Sequence, residues 1–402
     1  MKNTAKPTVL IAGGGVAGLT AALAFANKGF SVCLFDKAAE FSEVGAGLQL
    51  APNATRLLQR LGVMEKLSPS AVTPQALLLK DGKSAKTLTS MSLDAAVHRW
   101  GAPYVVCHRA DLQSALLSTC QNNPDITIRL GCEAVQFQEH TNLISLTVRH
   151  NGLDEQFDGA LLLGCDGVWS KLRHPLPAPE FSGHIAWRLS VEKADLPQSF
   201  LQAINQQTAV SAWLGADRHF IAYPVKAGSA YNFVAITRGQ VSDKSWDKIG
   251  DHQKLKAEYQ KWHPAIRDII ALNKQWTYWP LFQMAEPHFV VSNRFVLLGD
   301  ASHAVTPFAA QGAAMAIEDA FSLAEHLPLN QNFWPQALKS YNVTRLKRIQ
   351  SVAKRGAFNK FAYNASGPIA LARNLVFKMR SPERLLSDLD WLYAYKADQR
   401  SE

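Results

Sequence analysis

Apolar positions along this chain follow two rhythms. The first occupies residues 8–36. An unbroken run, Val9-Leu10-Ile11-Ala12, leads into a glycine cluster, an alanine-rich stretch and a second run, Ser31-Val32-Cys33-Leu34-Phe35. This order predicts strand, tight turn, helix and strand, a βαβ opening. Runs at Ala160-Leu161-Leu162-Leu163 and Phe295-Val296-Leu297-Leu298 lack the alternation of a half-exposed strand, so they are expected as buried strands of the same sheet. Residues 181–280 have a different texture. Val210-Ser211-Ala212-Trp213-Leu214 and the segments 219–225 and 231–236 read as short strands, with turn signals at Gly215-Ala216-Asp217 and Gly228-Ser229. They predict an antiparallel meander inserted into an α/β protein. From about residue 315 the pattern is helical, punctuated by Pro328, Pro335, Gly367 and Pro368.

The glycine cluster carries the first chemistry. Gly13, Gly15 and Gly18 match G-x-G-x-x-G, with Val16 and Ala17 opening the helix. The first glycine permits the tight turn and the second lets backbone N–H groups approach a pyrophosphate. The third lets helix and strand pack closely. Asp36 ends the next strand, where a carboxylate accepts from a ribose hydroxyl, and Lys37 follows it. A second strand–turn–helix cradle lies almost a chain length away: Arg294 to Asp300, a short loop, then Gly312-Ala313-Ala314. Two cradles, one bearing an acid, imply a dinucleotide held along its length, as FAD requires and NAD does not. No second G-x-G-x-x-G and no redox cysteine pair occur, so whatever donates electrons has to bind without its own Rossmann unit. The expected fold class is α/β. A Rossmann-like FAD-binding domain is built from the discontinuous segments 1–72, 101–180 and 281–330. An inserted α+β substrate domain, 73–100 and 181–280, carries the antiparallel sheet, and helices occupy 331–402.

Composition narrows the function classes. At 47% hydrophobic and 19% charged residues, the 402-residue chain is that of a soluble globular protein. Residues 8–26 are uncharged behind a basic start, but four glycines placed between strand and helix argue against a signal peptide or membrane span. Cys33, Cys107, Cys120, Cys132 and Cys165 show no metal or redox spacing and are expected as free thiols in a reducing cytoplasm. The twelve histidines form no metal-ligand cluster. The net charge of +9 is concentrated in residues 345–382, which hold nine Lys or Arg and no acid; elsewhere the signs balance. Leu346, Ile349, Val352 and Ala353 fall at helical spacing there. Such a helix either presents a solvated basic face or makes weak contact with an anionic membrane surface or substrate. No recognised fold accompanies the charge that would imply nucleic acid.

Five ordered motifs now identify a resemblance over almost the whole length. They are Gly13–Gly18 with Asp36; Gly45-Ala46-Gly47-Leu48-Gln49-Leu50-Ala51-Pro52-Asn53-Ala54; and His108-Arg109-Ala110-Asp111-Leu112. Gly164-Cys165-Asp166-Gly167-Val168-Trp169-Ser170 and the stretch Gly299 to Asp319 complete the set. The chain resembles the single-component FAD-dependent aromatic hydroxylases, such as salicylate hydroxylase, 3-hydroxybenzoate 6-hydroxylase and 6-hydroxynicotinate 3-monooxygenase. The resemblance implies hydroxylation of a phenolic or hydroxylated heteroaromatic substrate with NAD(P)H and oxygen, through a flavin C4a-hydroperoxide. It implies Arg109 at the pyrophosphate or ribityl chain, Asp166-Gly167 at FAD and the nicotinamide cofactor, and Asp300 at the ribityl hydroxyls. Ser302, Ala304 and Asp36 are mild departures, whereas Gln49 lies where relatives touch substrate, so substrate identity does not transfer.

Candidate catalytic residues follow. The helix starting at Gly312 and Ala313 aims N–H groups where a reduced flavin gathers negative charge, and Gln311 and the Pro307 carbonyl would line the oxygen side. His303, beside Asp300, is expected to be structural. Alternation places His219, Ile221 and Tyr223 on one strand face, and His219 with Tyr223 is expected to share a phenolic hydroxyl and help deprotonate it. Arg188, after Trp187, is expected at a substrate carboxylate or the flavin edge. Gly47 belongs to the cofactor set. Two alternatives stay open: a quinone-precursor hydroxylase acting at the membrane surface, and a non-catalytic flavin-binding sensor. A flavin halogenase is disfavoured because Trp276 and Trp279 are not in its Trp-x-Trp-x-Ile spacing. Monomer and homodimer are equally compatible.

Overall fold

A computed structural model describes residues 6–41, 46–205, 207–240, 248–272 and 275–398. The βαβ opening is present as Thr8–Ala12, helix Val16–Ala26 and Ser31–Phe35. A five-stranded sheet runs in the order Phe295–Leu297, Leu161–Gly164, Thr8–Ala12, Ser31–Phe35, Ile126–Arg129, parallel throughout. Both unbroken apolar runs lie in it because the sheet is covered on two sides. Val9, Ile11, Leu161, Leu163 and Val296 pack with helix Val16–Ala26. Leu10, Ala12, Leu162, Phe295 and Leu297 pack against Ile144, Leu146 and Val148. Those three come from a small antiparallel sheet, Cys132–Glu139, Ile144–His150 and Leu153–Gly159, whose other face is largely polar.

The meander expected after residue 181 belongs to an eight-stranded sheet. Its order is Lys248–Ile249, Thr277–Gln283, Glu180–Glu192, Ala230–Arg238, Arg218–Val225, Ala209–Gly215, Ala76–Asp81, Thr87–Ser92. All neighbours are antiparallel except Ala209–Gly215 with Ala76–Asp81, which run parallel. One face carries Trp213, Phe220 and Phe233 against Leu255, Ile266 and Ile269 of two short helices. The other face roofs the cavities described below. Gly47–Leu50 and Val105–His108 form a separate two-stranded ribbon beneath it.

The chain closes with helices, the longest being Trp334–Tyr363, 30 residues and therefore roughly 45 Å. Its basic character is not wholly superficial. Arg345 and Arg348 are buried and face Glu318 and Asp319 of helix Gly312–His326. Arg345 reaches Glu318 Oε2 at 2.9 Å and Asp319 Oδ1 at 2.7 Å, and Arg348 reaches Glu318 Oε1 at 2.7 Å. Two of the nine charges in 345–382 are thus internal counter-ions, while Ile349 and Val352 are core. Burial pushes the Glu318 carboxyl up, but Arg348 and Arg345 outweigh it and hold the group below the usual range. Among the described residues no helix is long and apolar enough to cross a membrane.

Removing one partner of a buried ion pair leaves an uncompensated charge. Arg345→Met is therefore expected to lower unfolding stability by about 3–5 kcal/mol, read as a shifted urea midpoint. A wild-type midpoint would show that the network is not a structural tie.

Candidate active site

The glycine turn is built for close approach. Gly13 has φ +109°, and a Cβ there would lie 2.4 Å from the Cys165 carbonyl oxygen. At Gly18 a Cβ would lie 1.9 Å from the Gly13 carbonyl oxygen, so this glycine sets the distance between helix and turn. Gly15 has nothing within 4 Å of that position. It opens instead onto a groove of about 460 Å³, which Gly13, Asp36, Lys37, Arg109, Asp166 and Gly167 also line. Asp36 Oδ2 accepts from the Gly14 N–H at 2.5 Å and Oδ1 from the Ala38 N–H at 2.8 Å, which fixes the carboxylate at the groove. Asp166 Oδ1 is buried without a hydrogen-bond partner, and burial raises this carboxyl above the usual range.

A second cavity of about 300 Å³ adjoins the groove, with Gly15, Arg109, Cys165 and Gly167 lining both. It brings the remaining cofactor candidates together: Val16, Ala17, Gly47, Asp300, Gly312 and Ala313. Two helix N-termini, at Val16 and Gly312, border it. First-turn N–H groups have no intrahelical acceptor, so each end offers donors and partial positive charge. Like Gly15, Gly312 has nothing within 4 Å of a built Cβ. Gly47 donates its N–H to Asn232 Oδ1 at 2.8 Å, and a Cβ there would meet the Tyr223 ring at 2.6 Å. Gly45, the neighbour of this motif, lies outside the described residues. A long groove with an acid and a base at one end, continued by a cavity between helix ends, fits FAD extended from adenosine to isoalloxazine.

Strand Arg218–Val225 carries the candidate catalytic side chains. His219, Ile221 and Tyr223 all line this cavity, whereas Phe220 and Ala222 are in the opposite core, as alternation requires. His219 is buried, and its Nδ1 donates to Asn364 Oδ1 at 3.0 Å, leaving Nε2 as the lone-pair nitrogen. Burial pushes this imidazole down to about 4; the Asn364 bond acts against that shift and His184 with it. The group is therefore neutral at pH 7. Burial pushes the Tyr223 phenol up, so it remains a hydrogen-bond donor.

Four residues along a strand span about 13 Å. His219 and Tyr223 therefore enter the same cavity at two points along the strand. Gln311 is 2% exposed and accepts from Asn53 Nδ2 at 3.0 Å, while Asn53 also donates to Glu318 at 2.7 Å, so the Gln311 side chain is tied to the buried ion network; its neighbours Ala310 and Gly312 line the cavity. Pro307 does line the cavity. His303 is buried and bonded to Asp319 at 2.5 Å, which matches a structural role.

Beyond His219 a third cavity of about 410 Å³ shares Gln49, Ile221, Pro307 and Ala310 with the second. Tyr104 donates to Gln49 there at 2.8 Å. Arg355, Asn359 and Tyr363 of the long helix wall it, and Asn364 ends that helix. Sequence reasoning missed Asn364 and Arg355. A polar residue before Ser366-Gly367-Pro368 reads as an ordinary helix end, and nothing in its spacing points 145 residues back to His219. Arg188 lines the second cavity with an unpartnered Nε and stands over the Trp279 ring at 5.4 Å.

Comparison with known proteins agrees with this geometry. A family model described as FAD binding domain matches residues 6–356. A 3-hydroxybenzoate 6-hydroxylase of Polaromonas naphthalenivorans is 32% identical, covering 98% of this chain and 97% of its own. A 3-amino-4-hydroxybenzoate 2-monooxygenase of Streptomyces platensis is 31% identical, covering 98% of each. A salicylate hydroxylase substrate complex superposes with a TM-score of 0.81 at 24% identity, over 98% of this chain and 97% of that one. CtdE, solved in complex with FAD and a substrate, has a TM-score of 0.83 at 20% identity over the same shares. With these matches spanning its length, the chain belongs to the FAD-binding-domain family and is an FAD-dependent monooxygenase of the aromatic hydroxylase type.

Proposed function

We propose that this enzyme hydroxylates a phenolic or hydroxylated heteroaromatic ring at the expense of NADH or NADPH and molecular oxygen. One observation carries the reading. A neutral histidine, His219, fixed through Nδ1 by Asn364, sits where the cavity fitting a flavin ring meets a second, mostly apolar cavity. The relatives named above are hydroxylases and monooxygenases of hydroxybenzoates, which agrees with a phenolic ring.

When bound, FAD supplies the redox chemistry, exchanging electrons with the nicotinamide donor and with oxygen. Gly13, Gly15, Val16, Ala17 and Gly18 would hold its pyrophosphate on backbone N–H groups. Asp36 and Lys37 would hold the adenosine end, and Arg109 the phosphodiester or ribityl chain. Asp300 would take ribityl hydroxyls, Gly47, Asp166 and Gly167 would border the dinucleotide, and Gly312 with Ala313 would face the ring. On the substrate side, His219 Nε2 accepts a hydrogen bond from the phenolic hydroxyl, which draws the proton away from the oxygen as the ring reacts and makes the ring more electron-rich. Tyr223 donates at the other end of the ring. The Pro307 wall and the apolar lining exclude water.

The reading is tested by screening hydroxylated benzoates, phenylpropanoates and pyridines for stimulated NADH or NADPH oxidation, with products checked for one added oxygen. Failure of every phenol to give an oxygenated product would overturn it. His219→Gln is expected to retain FAD while slowing hydroxylation on the order of 10²-fold, the usual worth of a positioned base. Asn364→Ala, which frees the ring to rotate, is expected to cost about tenfold with FAD unchanged. An unaltered rate in either variant removes that residue from the mechanism.

The imidazole that titrates near 4 also sets a pH signature. As pH falls from about 6.5 toward 4, the unfolded chain takes up this proton before the folded one, so stability declines across that window. His219→Gln is expected to flatten that part of the stability profile, measured by urea unfolding at several pH values. An equally steep decline in the variant would assign the slope to other groups.

A second reading, hydroxylation of a quinone precursor at a membrane surface, has one feature in its favour. Helix Gly367–Met379 buries none of its residues and exposes Leu371 at 72% and Met379 at 76%, with Lys378 beside them. Co-sedimentation with anionic vesicles that is lost at high salt would favour it; no sedimentation at low salt would dismiss it.

A further inference from the structure

The long helix Trp334–Tyr363 turns one face toward the third cavity. Arg355, Phe358, Asn359, Ala362 and Tyr363 line it at intervals of three and four residues. Among them Arg355 stands apart. Its Nε is buried without a hydrogen-bond partner, and among the described residues its guanidinium has neither a hydrogen bond nor an ion pair. It stands over the Phe358 ring at 5.7 Å and within electrostatic reach of Tyr363 and Tyr393.

The other arginines of the basic segment 345–382 are already engaged. Arg345 and Arg348 are matched by Glu318 and Asp319. Arg373 donates to the Ala362 carbonyl and to Asn374. Arg380 pairs with Asp388, and this is the carboxylate among the described residues lining the cavity. Burial holds the phenols of Tyr104, Tyr363 and Tyr393 in their neutral form, and His219 is neutral as well. The cavity therefore carries one unmatched positive charge, walled by Leu79, Ile221, Phe377 and Leu392. Arg355 is half-buried, so water solvates part of its guanidinium, and an anion entering the cavity would match the charge on the side that faces the apolar wall. Its planar fork suits a carboxylate held by two parallel hydrogen bonds.

We propose that Arg355 binds the carboxylate of the substrate, so that the enzyme acts on phenolic acids whose carboxylate stands away from the hydroxylated ring. The assignment rests on the hydroxylase reading above and adds the substrate's chemical class. Dimensions favour a spacer between ring and acid. Arg355 and Asn364, the residue that holds His219, are separated by nine positions, about 13 Å along a helix. The cavity, at about 410 Å³, is also well beyond the roughly 150 Å³ that accommodates one benzene ring. Arg188 is the competing anchor. It lies at the flavin end, within electrostatic reach of Arg109 and Tyr223, and no such partners place it near the third cavity.

The test is ligand binding to the FAD-loaded enzyme without reductant, followed by perturbation of the flavin absorbance. The probes are 4-hydroxybenzoate, 4-hydroxycinnamate and 3-(4-hydroxyphenyl)propanoate, each beside its carboxamide. The acids are expected to bind at least about tenfold tighter than the amides, the two longer acids most tightly. Arg355→Gln should abolish the acid preference while leaving amide affinity within about twofold, and Arg355→Lys should restore part of it. The wild-type comparison stands even if a variant folds poorly. Equal binding of acids and amides, no spectral change with any acid, or a preference lost in Arg188→Gln but kept in Arg355→Gln would each overturn the assignment. Acid-selective binding without oxygenated product would instead overturn the hydroxylase reading and leave Arg355 as an anion site.

Discussion

The buried meeting of Glu318 and Asp319 with Arg345 and Arg348 holds the working parts in register. Asp319 Oδ2 accepts the Gly299 N–H at 3.0 Å, at the turn that presents Asp300, and also bonds His303. Glu318 accepts from Asn53, which fixes Gln311 immediately before the helix end at Gly312. On the other side the two arginines position the helix that carries Arg355 and ends at Asn364. One desolvated cluster thus links the cofactor turn, the flavin-side helix and the wall of the outer cavity. Unpaired, any of these charges would be costly in such a place; matched, they restrict the two helices to one relative placement.

This arrangement divides the interior by task. Backbone N–H groups and small residues border the groove and the cavity fitting the flavin ring, where close approach matters more than side-chain variety. Apolar and phenolic side chains border the outer cavity, where under the proposed function a ring would be oriented and water excluded. His219 stands at the junction, contacting the Phe308 and Tyr363 rings at 5.4 and 5.5 Å. Its backbone is held as well, because Tyr259 donates to the His219 carbonyl at 2.9 Å. Burial keeps the imidazole neutral, and the Asn364 acceptor leaves the cavity-side nitrogen free to accept.

The basic segment 345–382 shows how a single property of sequence resolves into several structural ones. Counting charges gives an excess without saying where each side chain goes. In the fold, Arg345 and Arg348 are internal counter-ions, Arg355 enters a cavity, Arg373 ties two helices and Arg380 meets Asp388. A helix with residues three and four apart on one face sorts its charges by that face, and the partner of each face is set by helices distant in sequence.

Local order alone determined the phosphate cradle. Strand, glycine turn, helix and Asp36 lie within thirty consecutive residues, and their chemistry depends on backbone geometry that glycine spacing encodes. Strand alternation likewise identified the face bearing His219, Ile221 and Tyr223, because that periodicity is a property of one segment. Two uninterrupted apolar runs were legible as buried strands of the cradle's sheet for the same reason. Tertiary structure decided the rest. Asn53 ties Gln311 to the ion network, and Asn364 orients His219. Arg355 acquires meaning only from a cavity enclosed by segments as far apart as Gln49 and Tyr393. Those outcomes depend on which buried polar group finds which partner, and that competition is settled by packing between remote parts of the chain.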